Sequence, residues 1–155
     1  MIDVSDVSKT FTLHNQGGAR IEVIRGARFR VAPGECVALS GASGSGKSTL
    51  MRLVYGNYRA ASGRISVGDT NIATARPREI VALRRGTLGY VSQFLRVVPR
   101  VPAREVVAEP LRVLGVPDDA AFARAEALLA RLNVPEALWD LAPMTFSGGE
   151  QQRVN

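Results

Sequence analysis

The sequence predicts an α/β fold, on three observations: a strand-patterned first third, a Gly-rich loop between a short apolar run and a helix, and helical spacing from Pro102 onward. The chain has 155 residues, 46% apolar and 22% charged, enough for one domain with a real core.

The elements follow in order. "IDVSDVS" and "IEVI" (Ile21 to Ile24) have strand patterning, and "ARFRV" sets Ala27, Phe29 and Val31 opposite Arg28 and Arg30. "NQGG" (Asn15 to Gly18) is a turn signal between them. "ECVALS", bounded by Pro33-Gly34 and Gly41, reads as a buried strand with Cys36 as a small buried hydrophobe. A helix is expected from Lys47 to Gly56, then two short strands about Gly68-Asp69, and a helix over Arg78 to Arg85. "TLGYVSQ" (Thr87 to Gln93) reads as another buried strand leading into a loop. Next comes a helix with Val106, Val107, Leu111 and Leu114 on one face, ending at Gly115, which Pro110 should kink. The last full helix has an N-cap candidate at Asp118 or Asp119 and a stripe of Phe122, Ala125, Leu128, Leu129 and Leu132. "SGGEQQRVN" reads as the first turns of one more.

Composition narrows the function classes. The apolar runs are short and broken by Arg, and "MIDVSDVSK" lacks the basic-then-apolar order of a signal peptide, so no direct membrane insertion is expected. The one cysteine excludes an internal disulfide, and these features together favour the cytoplasm. Of the 20 basic residues 18 are Arg, against 14 acidic, for a net charge of +6. That surplus suits phosphates or nucleic acid, but no Arg cluster is interleaved with aromatics, so nucleic acid is not expected as a partner.

The loop "GASGSGKST" carries the sharpest signal. Gly41, Ser43, Gly44, Ser45, Gly46, Lys47, Ser48 and Thr49 fit G-x-x-x-x-G-K-[ST]. Only Gly-rich backbone can turn successive N–H groups onto phosphate oxygens, and the following helix N-terminus adds partial positive charge. Lys47 would reach the β- and γ-phosphates, and the Ser48 hydroxyl would bind Mg²⁺. One of only two lysines stands where a compact point charge is wanted. The loop points to a nucleoside triphosphate, not to the use made of its energy.

A second segment narrows the reading. Ser147, Gly148, Gly149, Glu150 and Gln151 resemble the signature of the ABC-type ATPases, with Glu where Gln is commoner. The resemblance implies a P-loop, ABC-type nucleotide-binding domain with an antiparallel β subdomain and a helical insert. It implies ATP and Mg²⁺, and a head-to-tail dimer, with itself or a related ATPase subunit, in which each signature closes over the partner's ATP. Gln93 resembles the glutamine that senses Mg²⁺ and the γ-phosphate. Phe11 in "SKTFTL" resembles the aromatic that stacks on adenine. His14 lies too early to be the family's switch histidine.

Three stretches, "VSQFLRVVPR", "RLNVPEALWDLAP" and "TFSGGEQQRVN", also resemble the L-protein ATPases (PhnL) of the bacterial phosphonate carbon–phosphorus lyase system. That likeness implies work in phosphonate catabolism and contacts with other C–P lyase proteins. An ABC transporter ATPase shares the generic motifs and is the alternative.

The resemblance further implies a later strand ending in Asp-Glu and a switch histidine, and no Asp-Glu pair occurs in these 155 residues. The sequence therefore reads as an incomplete domain truncated after the signature. Its parts are residues 1–92 (β subdomain and phosphate-loop core), 93–145 (Q-loop and helical subdomain) and 146–155 (signature). Alone it is expected to be inactive as a hydrolase, and a non-hydrolysing nucleotide-binding module is a third possibility.

Overall fold

The computed structural model describes residues 1–15, 17–92 and 99–155, and it divides into two compact units, Met1–Gly89 and Tyr90–Asn155.

The first unit is built on an antiparallel sheet of order β2-β1-β3-β4, with β1 at Ile2–Leu13, β2 at Ala19–Val31, β3 at Ser62–Val67 and β4 at Thr70–Asn71. A bulge makes β1 work. Val4 and Val7 are three residues apart, which strict alternation would put on opposite faces, yet both are buried. Asp6 between them takes φ 52° and shifts the register, so Val7 turns inward. The Asp6 carboxylate accepts a hydrogen bond from Arg28 Nε at 2.6 Å. At Gly63 on β3 an added Cβ would collide with the Asp6 carbonyl oxygen, so only glycine lets the strands pair beside the bulge.

Helices α1 (Lys47–Val54) and α2 (Pro77–Gly86) belong to the same unit. Leu50, Leu53 and Val54 of α1 and Leu83 of α2 join Val4, Val7, Ile24, Ile65, Val67 and Ile72 in one core. Arg84 of α2 fastens the end of α1: its Nε donates to the Tyr55 carbonyl at 3.1 Å, and its guanidinium lies 4.4 Å from the Tyr55 ring centroid.

Two expected strands are absent. Residues 35–40 have no strand and are largely exposed, Cys36 included, so this cysteine is not a core residue. Residues 87–92 likewise carry no strand, and Val91 is 76% exposed. A buried parallel strand needs neighbours for its N–H and C=O groups, and the antiparallel sheet offers these segments none.

The second unit is helical, with α3 at Ala103–Val113, α4 at Asp118–Arg131 and α5 at Gly148–Val154. Small residues Ala108, Ala121 and Ala125 let α3 and α4 pack closely. Ala103, Leu129, Val134, Phe146 and Val154 form its second cluster. Helix α3 runs through Pro110 to Val113, with Leu114 as its C-cap just before Gly115. Pro117, not an aspartate, caps α4. Asp118 and Asp119 lie in its first turn, where the helix dipole favours negative charge, and Asp118 accepts from Arg112 Nε at 2.8 Å. Leu114 and Leu132, expected on the apolar faces, cap their helices and are exposed by 60% and 46%.

Candidate nucleotide-binding site

Three glycines shape the phosphate loop through backbone angles other residues rarely adopt: Gly41 at φ 147°, Gly44 at 79° and Gly46 at 91°. Gly46 is the N-cap of α1 and has a second constraint. A Cβ there would come 2.7 Å from Ile24 Cδ1 and 2.9 Å from the Val23 carbonyl oxygen, so β2 presses directly on the loop. Ser45 N–H donates to the Ala42 carbonyl at 3.2 Å, closing a turn within the loop.

Lys47 lies across this turn. Its Nζ donates to the carbonyls of Gly41 and Ala42 at 2.8 and 2.7 Å and lies 3.4 Å from Ser45 Oγ. The ammonium is thus held by neutral acceptors, which charged phosphate oxygens outcompete. Ser43 and Ser48 are exposed and Thr49 is half-buried, with Ser48 in the first turn of α1. Among the described residues no group of three or more His, Cys, Asp or Glu could hold a metal ion. A Mg²⁺ ion with its oxygens mostly from phosphate and water needs only a ligand such as the Ser48 hydroxyl, so the residues fit it.

Phe11 lies on β1 opposite Ile21 of β2. Two residues back, Lys9 pairs with Ile24, the residue whose side chain meets Gly46. Phe11 is therefore about 7 Å along the strand from the loop's backing. Its ring meets Tyr58 edge to face, with centroids 5.3 Å apart and planes at 82°. Lys9 and Tyr58 around this ring, and Arg52 on Tyr58, carry no motif in the sequence. Lys9 had a signal, the i, i+2 spacing within one strand; Tyr58, 47 positions away, had none.

In the second unit Phe146 is buried and anchors the signature, and Gln151 Nε2 donates to its carbonyl at 3.1 Å. Ser147 caps α5 through a reciprocal box. Its N–H donates to Glu150 Oε2 at 2.9 Å, its hydroxyl donates to the same oxygen at 2.7 Å, and the Glu150 N–H donates to Ser147 Oγ at 3.4 Å. The Ser147 hydroxyl and N–H hold the Glu150 carboxyl below its ordinary value, with smaller help from Arg153. The glutamate is thus an integral part of the cap. Gly148 and Gly149 open the helix, and a Cβ at either would meet open space. Gln93 lies outside the described residues.

With this geometry in view, the comparisons with known proteins are specific. Residues 24–155 match the family model described as ABC transporter, and the chain belongs to that family. The fold is the ABC-type variant of the P-loop α/β class. The chain superposes with a TM-score of 0.90 and 27% identity on the dimeric ATP-binding cassette MJ0796 in a post-hydrolysis state bound to ADP and Pi, covering 99% of this chain and 66% of that one. It is 42% identical over 140 residues to the lipoprotein-releasing system ATP-binding protein LolD of Novosphingobium aromaticivorans, covering 90% of this chain and 62% of the relative. It is 39% identical over 156 residues to the macrolide export ATP-binding/permease protein MacB of Syntrophobacter fumaroxidans, covering 99% of this chain and 21% of the relative. The chain thus spans less than two thirds of these proteins.

Proposed function

We propose that this chain is the ATP-binding part of an ABC transporter ATPase, acting on the cytoplasmic side of a membrane partner. The observation that carries this reading is the Gly41–Thr49 loop, with Lys47 poised across it at the start of α1. Lys47 leaves the loop carbonyls for the β- and γ-phosphates, the loop N–H groups and α1 N-terminus take the remaining oxygens, and Ser48 binds Mg²⁺. Phe11 receives the adenine. Ser147, Gly148, Gly149 and Glu150 form the signature that a second ATPase domain requires, in a head-to-tail dimer. Gln93 senses the metal and the γ-phosphate. The dimeric state of MJ0796 and the transporter names of the relatives support the assembly.

The narrower reading, an ATPase serving phosphonate breakdown with C–P lyase proteins, rests on residues 94–100 and 133–143 and gains no support from LolD or MacB. Two measurements in the natural host separate the readings. Affinity purification of the tagged protein is expected to bring down an integral membrane protein, and a strain lacking the gene is expected to grow normally on a phosphonate as sole phosphorus source. Loss of that growth, with soluble partners only, would replace the transporter reading with the phosphonate one.

A further inference from the structure

Lys9 occupies an unusual position for a lysine on a strand. It is half-buried, and its Nζ donates to the Arg59 carbonyl at 2.8 Å. The ammonium so fixed lies 5.0 Å from the Phe11 ring centroid and 5.9 Å from that of Tyr58, in the corner between two nearly perpendicular rings. Both distances are within cation–π range. Tyr58 is tied in turn to the phosphate-loop helix: Arg52 of α1 donates to its hydroxyl at 3.1 Å. The cation, the two rings and the helix form one connected group within the first unit.

We propose that Lys9 is a positioning residue for the nucleobase. The inference rests on the reading of Phe11 as the base platform. An aromatic ring carries negative charge on both faces, and so does a purine, which makes direct stacking of the two partly repulsive. An ammonium over one face of Phe11 draws density toward itself and makes the opposite face a better partner for an electron-rich purine. The Arg59 carbonyl keeps the charge at the ring rather than letting the long side chain swing toward the phosphates. Tyr58 holds the ring edge, so the face offered to the base is fixed relative to the loop.

The test compares ATP with inorganic tripolyphosphate, which lacks a base, on the natural full-length protein by calorimetric titration. Lys9→Met keeps the aliphatic stem over the rings and removes the charge. It is expected to weaken ATP about two- to fivefold and to leave tripolyphosphate unchanged. Lys9→Arg restores a cation over the ring and should recover ATP affinity; Lys9→Gln is the second neutral variant if Lys9→Met folds poorly. Equal weakening of ATP and tripolyphosphate would overturn the proposal and make Lys9 a general attractor of phosphate. Phe11→Ala separates the two layers. If it weakens ATP while both neutral Lys9 variants do not, the inference falls and the platform stands. If Phe11→Ala leaves ATP binding unchanged, the platform itself is lost, and the role of Lys9 with it.

Discussion

Glu150 shows how much one residue decides in the signature segment. Its carboxylate accepts both the N–H and the hydroxyl of Ser147, so the cap depends on its charge. Its folded-state value lies below the ordinary 4.5, because the charged form is the one hydrogen-bonded. The stabilisation is therefore fully present above the unfolded value and lost as pH falls through the folded one. Glu150→Ala is expected to lower the melting temperature at neutral pH, and the gap to wild type should close in acid below about pH 4. A gap that is constant with pH, read by thermal melts across the range, would remove the carboxylate from the account. Because the same oxygen accepts the hydrogen bond that the Ser147 hydroxyl donates, that hydroxyl has a defined direction before any nucleotide arrives.

At the scale of elements, the contact between β2 and the phosphate loop is the joint that matters. Gly46 is at φ 91° with Val23 and Ile24 against it. Gly46→Ala should destabilise the fold by about 1–3 kcal/mol through the strained backbone alone. Any folded fraction should also bind ATP more weakly, since relief of the clash moves the loop off β2; wild-type stability and affinity together would contradict this. The loop–helix unit was legible in the sequence because its Gly, Lys and Ser types each answer a chemical requirement at fixed spacing. The hairpin about Gly68-Asp69 was legible from turn chemistry, and α4 from its 3.6-residue stripe. The apolar runs at 35–40 and 87–92 misled, because composition records that a segment is fit for a strand and not whether a neighbour is there to pair with it. The Asp6 bulge was also illegible, since a positive φ at an aspartate leaves no periodic trace. Tyr58 reaches Phe11, and Arg52 reaches Tyr58, only through the fold, which no local pattern reports.

At the scale of the whole molecule the charge is unevenly placed. Residues 1–89 hold thirteen basic and six acidic side chains, whereas residues 90–155 hold seven and eight. The positive surplus thus belongs entirely to the unit that carries the phosphate loop. A field of that sign draws in a polyanion and is screened by salt. ATP affinity is expected to fall steadily as ionic strength rises, and adenosine binding to change little; a salt-independent ATP affinity would count against this role. A surplus of this size suits a small anionic ligand as well as it suits nucleic acid.

The central claim is that Lys47 and its loop bind the triphosphate, and calorimetric titration of ATP into the natural full-length protein and its Lys47→Ala variant tests it most directly. Lys47 makes its present hydrogen bonds to the exposed loop carbonyls of Gly41 and Ala42 and to the Ser45 hydroxyl, all within the loop itself, so the variant should fold normally. Loss of a charge-assisted contact to phosphate should weaken ATP about ten- to a hundredfold. Equal affinity in the two proteins would contradict the account at its base and move the nucleotide away from Gly41–Thr49.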